Sequence, residues 1–88
     1  MDLKDLRYFI AVYETKGFSR ASKFLGTVQS NVSARIQGLE RSIGVPLFER
    51  RWRSVVPTGK GDQFYGYAKQ VMVALDNVER AFKRSRAA

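Results

Sequence analysis

A mainly α-helical fold is what this 88-residue sequence predicts: three short helices, a two-stranded hairpin and one long helix. Three observations carry that expectation. Apolar residues recur at helical spacing over most of the chain. Two of the periodic runs are separated by only three or four residues with Gly26 at the joint, the sequence form of a helix-turn-helix. Between two later stops, at Gly44-Val45-Pro46 and at Pro57, lies a stretch too short for a helix, and its Val55-Val56 pair suits a strand.

The first helix is expected over 2–15. Leu3, Leu6, Phe9, Ile10 and Tyr13 share one face, with Val12 at its margin. Asp2 and Asp5 stand near the positive end of the helix dipole. Lys16-Gly17 closes the helix, with Gly17 as its left-handed cap. Ser19 is the expected N-cap of a second helix reaching Leu25, with Ala21, Phe24 and Leu25 recurring at helical spacing. Thr27 is the expected N-cap of the third, its hydroxyl taking an amide proton from Gln29 or Ser30. In that helix Val32, Ile36, Leu39 and Ile43 fall in one narrow sector at about 100° per residue. Gly44 caps its end, and Pro46 disfavours helix in the residue before it.

Leu47 and Phe48 return the chain to the core. The segment 47–57 then reads as a two-stranded wing with Arg51 and Arg53 near its tip. Arg50 admits two readings, a basic contact or a structural salt bridge with Glu40 or Glu49. Trp52, at the tip, either shields the hairpin or stacks near a partner. Beyond Thr58 no proline occurs, and Phe64, Ala68, Val71, Leu75, Val78 and Phe82 keep a four-three-four-three-four spacing, the a/d seam of a coiled coil. Tyr65 and Met72 add a flanking strip. A helix of roughly 27 residues spans about 40 Å, too long for so small a core to cover. One strip is expected on the first helix and the seam against a second subunit. Arg80, Lys83, Arg84 and Arg86 read as a solvated basic end.

Composition narrows the function. The formal charge of +8 points to a polyanionic partner, and the hydrophobic fraction of 44% suffices for one small core. Cysteine and histidine are both absent from the sequence, which excludes disulfides and removes the commonest zinc ligands and catalytic bases. No apolar run is long enough to cross a membrane and no signal-peptide pattern opens the sequence, so a soluble, intracellular chain is expected. Away from its apolar sector, the third helix carries Gln29, Ser30, Ser33, Ala34 and Gln37, small or amide-bearing groups suited to a groove. A glutamine bonds adenine through two contacts, a serine hydroxyl serves donors or acceptors, and an alanine methyl meets that of thymine. A recognition helix in the major groove of double-stranded DNA is the reading that combines face and charge.

These motifs bring a family into view. Leu6-Arg7-Tyr8-Phe9, Phe18-Ser19-Arg20-Ala21 and Leu25 are followed by Val28-Gln29-Ser30-Asn31-Val32-Ser33-Ala34-Arg35-Ile36. Leu39-Glu40, Gly44-Val45-Pro46-Leu47-Phe48-Glu49-Arg50, and Thr58 with Gly61 complete the set. Over essentially its full length the chain resembles the N-terminal DNA-binding domain of LysR-type bacterial transcriptional regulators. The resemblance implies a winged helix-turn-helix over 1–58, with the helix-turn-helix at about 19–39. A linker and dimerisation helix over 59–88 pairs antiparallel with its mate. It assigns DNA contacts to Gln29, Ser30, Ser33 and Ala34, to Arg53 in the wing, and to Thr58 as a phosphate ligand. It implies a homodimer on an imperfect inverted repeat, and leaves a tetramer open for the full-length protein. A small-molecule coinducer is expected on a C-terminal effector domain that this chain lacks, and no cofactor within the chain itself. The family often has Pro where Ser30 stands, Arg where Ala34 stands, Ala where Ser22 stands and Leu where Pro57 stands.

Two other classes are weaker. A protein-interaction module built on the seam would dimerise without salt-sensitive DNA binding. A small basic enzyme lacks clustered carboxylates or a nucleophile pair, and Gly59-Lys60-Gly61 is a lone glycine fragment rather than a phosphate loop.

Overall fold

The computed structural model describes residues 1–87, with side chains through Lys83. Ala88 and the side chains of Arg84 and Arg86, named above, lie outside the described residues. The elements run α1 (Leu3–Thr15), α2 (Phe18–Leu25), α3 (Gln29–Ile43), β1 (Phe48–Arg51), β2 (Ser54–Pro57) and α4 (Gly59–Ala87).

Helix α1 starts at a reciprocal cap. The Asp2 carboxylate accepts the Asp5 amide at 2.8 Å, and the Asp5 carboxylate accepts the Asp2 amide at 3.0 Å. The Asp5 amide, with a smaller contribution from the Arg35 charge, holds the Asp2 carboxyl below its usual range against the opposing effect of burial. Asp2 is thus the cap and the helix proper begins at Leu3.

The junction with α2 departs from expectation. Lys16, not Gly17, takes the left-handed conformation at φ 60°, while Gly17 is extended at φ −171° and serves as the N-cap of α2. Helix α2 therefore begins at Phe18, ahead of Ser19. The Lys16 carbonyl is a reason for this arrangement: turned outward, it accepts from the Val55 amide at 3.3 Å and from Arg20 at 2.9 Å. Two hydrogen bonds offset the roughly 1 kcal/mol that a non-glycine residue loses in that region. Phe24 is also corrected. It is 79% exposed, whereas Phe18 and Ala21 supply the buried face and Leu25 packs beside it.

Gly26, left-handed at φ 70°, ends α2, and Thr27-Val28 lead directly into α3. Val28, not Thr27, occupies the cap position and has no side-chain group to bond with, while the Thr27 hydroxyl accepts from the Asn31 side-chain Nδ2 at 3.0 Å. Val32, Ile36 and Leu39 are buried against α1 as their spacing requires, and Gly44 closes the helix at φ 80°.

Glu40 ties α3 to the wing. Its carboxylate accepts the amides of Leu47 (2.7 Å) and Phe48 (3.1 Å), satisfying two donors that the chain would otherwise carry unpaired out of the turn. The strands pair antiparallel with Phe48 opposite Pro57 and Arg51 opposite Ser54, leaving Trp52-Arg53 as a two-residue turn. Arg53 has φ 66°.

Helix α4 divides in two. Phe64 meets Phe9 edge-on with ring centroids 4.7 Å apart, and Ala68 is 1% exposed within the core. Tyr65 stacks on Tyr13 at 3.9 Å, and Met72 packs beside the same cluster. Beyond Met72 the helix leaves the domain, and the molecule extends over 51 × 25 × 18 Å. Phe64 and Ala68, expected in an intersubunit seam, are thus used by the chain's own core. Val71 (42%), Val78 (55%) and Phe82 (68%) remain exposed, and Leu75 is half-buried.

A polar clamp surrounds the tyrosine stack. Tyr13 donates to Asp62 at 2.7 Å, and Tyr65 donates to Glu14 at 2.5 Å. The bond to Glu14, helped by burial and by the carboxylate charge, pushes the Tyr65 phenol up to about 12. An unfolded tyrosine ionises near 10, so the stabilisation from this pair is complete below about pH 10 and disappears as the pH rises to about 12. Between those pH values the native chain is expected to lose more thermal stability than Tyr65→Phe. Parallel melting curves for the two proteins would count against the clamp.

Candidate nucleic-acid interface

The exposed face of α3 carries most of the side chains that the sequence placed there. Gln29, Ser30, Ala34 and Gln37 are all exposed, and among the described residues none makes a side-chain hydrogen bond or ion pair. These four are uncharged, with Arg41 following only one turn beyond Gln37, and their free amides and hydroxyl can serve bases without first giving up an internal partner. Ser33 differs. It is half-buried, and its Oγ accepts from Arg50 Nη2 at 2.7 Å.

The wing lies alongside. A hollow of about 300 Å³ opens between the starts of α2 and α3 and the hairpin, with Gln29, Arg20, Arg50, Arg51 and Arg53 on its walls. Four guanidinium groups thus gather beside the uncharged face. Arg20 is fixed by donating to the carbonyls of Thr15 (2.7 Å) and Lys16 (2.9 Å). Arg51 lies 3.5 Å from Glu49 in a pair exposed on both sides, an association water screens to little net energy. Arg53 stacks over Trp52 at 4.3 Å, and the Trp52 ring is 84% exposed.

Arg50 makes neither of the salt bridges considered for it. Glu40 is engaged by backbone amides and Glu49 by Arg51, and the Arg50 guanidinium instead lies 4.4 Å over the ring of Phe18. Arg35 points the other way. It pairs with Asp5 at 2.8 Å and Asp2 at 3.6 Å and lies over the Tyr8 ring, joining α3 to α1. Asn31 escaped the sequence reading, and it too is structural, donating to Tyr8 and Thr27.

Thr58 is placed differently from its expected role. Its hydroxyl donates to the Pro46 carbonyl at 2.8 Å and accepts the Gly61 amide at 3.0 Å. A hydroxyl has one proton, and here it is committed within the chain. Thr58 caps α4; a phosphate would have to displace Pro46 to receive its hydrogen bond.

Chemically, the surface offers neutral hydrogen-bonding groups on a helix and cationic groups at its flank. Among the described residues, no group of three acidic, cysteine or histidine side chains could hold a metal, and no helix is long and apolar enough to cross a membrane.

The sequence and the fold are both similar to those of known proteins. Residues 3–62 match the family described as bacterial regulatory helix-turn-helix protein, lysR family. The chain is 46% identical over 76 residues to the HTH-type transcriptional regulator BudR of Raoultella terrigena, covering 86% of this chain and 26% of that protein. To BenM of Acinetobacter baylyi it is 39% identical over 84 residues, covering 96% of this chain and 28% of that one. It therefore spans less than a third of the length of these two relatives. In three dimensions it is similar to BenM DBD in a complex with benA site 1 DNA, with a TM-score of 0.92 and 38% identity over 100% of this chain and 99% of that one. It is likewise similar to CbnR DBD in a DNA complex, with a TM-score of 0.84 and 36% identity over 99% and 97%. On the match to the family model and on these full-length correspondences, the chain belongs to the lysR family of bacterial regulatory helix-turn-helix proteins.

Proposed function

We propose that this chain is the DNA-reading part of a transcriptional regulator. It binds double-stranded DNA with α3 in the major groove and the wing beside it. The observation that carries the reading is the free, uncharged group of Gln29, Ser30, Ala34 and Gln37 set beside a hollow at which the wing presents the exposed cations Arg51 and Arg53. Neutral groups discriminate bases, and cations supply affinity without reading sequence. The DNA complexes of BenM DBD and CbnR DBD support it.

Two copies act together in this reading, joined through Val71, Leu75, Val78 and Phe82 of α4 and binding an inverted repeat. The half of the apolar strip that the core leaves uncovered supports that part. The relatives' extra length leaves room for a coinducer domain in the whole regulator, which would act on the nucleoid and could form a tetramer.

The test begins with a duplex selected from a randomised pool by the wild-type chain. Gln29→Ala is expected to lower the ratio of selected-site to scrambled-site affinity by about tenfold, the cost of one lost two-point base contact. It should leave scrambled-site binding nearly unchanged. Equal weakening on both duplexes would remove Gln29 from base reading.

A further inference from the structure

We propose that Arg50 is a positioning residue. It fixes the Ser33 hydroxyl as a hydrogen-bond donor toward DNA, so that this turn of α3 selects an acceptor on a base edge. The inference rests on the DNA-reading function above and adds a specificity rule to it.

The argument is one of proton accounting. A serine hydroxyl has one proton and two lone pairs, whereas a guanidinium only donates. In the 2.7 Å contact with Arg50 Nη2, Ser33 must therefore be the acceptor, and its own proton is left over. A serine within a helix commonly spends that proton on a carbonyl three or four residues back. Ser22 of α2 does so, donating to Ser19 at 2.7 Å. Ser33 makes no such bond among the described residues, although it sits in a regular turn of α3. A lone pair held by a cation also leaves the O–H more strongly polarised.

Arg50 is itself held in place. Its guanidinium lies 4.4 Å over the buried ring of Phe18 in α2, its backbone belongs to β1 opposite Val55, and its tip reaches α3. Three elements thus meet through one planar group. The result is a serine of defined polarity on the groove-facing helix. Guanine N7 and O6, adenine N7 and thymine O4 accept such a proton in the major groove, whereas cytosine presents a donor there. Only an acceptor satisfies the proton that Arg50 leaves over, so cytosine should be depleted on the contacted strand at the position that Ser33 meets.

The experiment uses the 88-residue chain and the duplex that it selects from a randomised pool, measured against a scrambled duplex over a range of salt concentrations. Ser33→Ala and Arg50→Met are each expected to lower the selected-to-scrambled ratio by about tenfold. The double variant should lose no more than either single one, since both remove the same bond. Pools reselected with either variant should admit cytosine at one position. The slope of log affinity against log salt should match wild type in Arg50→Met, because in this proposal the Arg50 guanidinium is spent on Phe18 and Ser33 rather than on a phosphate. Methionine keeps an apolar contact with Phe18. Should that variant nevertheless unfold, Arg50→Leu, which also keeps an apolar contact with Phe18 and removes the donor to Ser33, takes its place in the same readouts. Additive losses near a hundredfold, a salt slope reduced by about one, or continued exclusion of cytosine would each overturn the proposal. A wild-type chain that enriches no sequence would instead overturn the DNA-reading function beneath it.

Discussion

Gly61→Ala is expected to destabilise the domain by about 3 kcal/mol, lowering its melting temperature by roughly 15 °C. A methyl on Gly61 would lie 2.1 Å from the Leu47 carbonyl oxygen, 3.1 Å from its carbon and 3.3 Å from the Pro57 side chain. The first of these atoms is backbone and cannot rotate aside. It also accepts the Thr58 amide at 2.9 Å, so moving it breaks the bond that seats α4 against the wing. Leu47 is 1% exposed, which leaves the carbonyl's own residue no room to retreat. Gly66→Ala is the internal control. Nothing lies within 4 Å of its added methyl, and alanine is the better helix former, so stability should rise by about 0.5–1 kcal/mol. Thermal unfolding followed by circular dichroism checks both. A Gly61→Ala protein that melts with wild type would refute the close approach.

This glycine marks where the sequence stops being informative. Gly61 was visible as part of a motif, but the reason for it is the passage of the Leu47 carbonyl, fourteen residues back along the chain, which no local pattern contains. The elements themselves were legible because each follows from a local rule. The Val32, Ile36, Leu39 spacing dictates the buried side of α3, and a valine pair between two stops dictates a strand. Caps were read less well where two residues compete. Lys16 takes the left-handed position because its carbonyl finds Val55 and Arg20, both partners supplied by the tertiary fold. Helical spacing groups Phe24 with Ala21 and Leu25, yet an eight-residue helix in a domain this small buries only a narrow stripe.

The interface shows the same division. Periodicity located the exposed face of α3, since a helix with one buried sector exposes the remainder. It could not distinguish Ser33 from its free neighbours, because Arg50 arrives from β1 seventeen residues later. Nor could charge alone separate the arginines that remain at the hollow from Arg35, which Asp2 and Asp5 draw to the opposite side.

Leu75→Glu is expected to convert a dimer into a monomer and to weaken binding to an inverted repeat by about a hundredfold or more. Joining two reading heads makes the second binding event intramolecular, an advantage on the order of 10² to 10⁴. The substitution removes that advantage while sparing the domain. Leucine and glutamate are similar helix formers, and position 75 lies beyond Met72, the last residue packed against the core. Among the described residues, the strip at this end of α4 is apolar and lies outside the core cluster: Val78 and Phe82 are more than half exposed and continue the heptad spacing from Leu75. A charge at its centre would be buried unpaired in any dimer, which opposes association strongly. Ala68→Glu makes the contrasting case, since Ala68 is 1% exposed in the monomer core; that protein should unfold rather than dissociate. Sedimentation equilibrium separates the two outcomes, and circular dichroism confirms that Leu75→Glu keeps its helices. A Leu75→Glu chain that sediments as a dimer would exclude the outer half of α4 as the contact, since that charge could not be accommodated in a seam centred there.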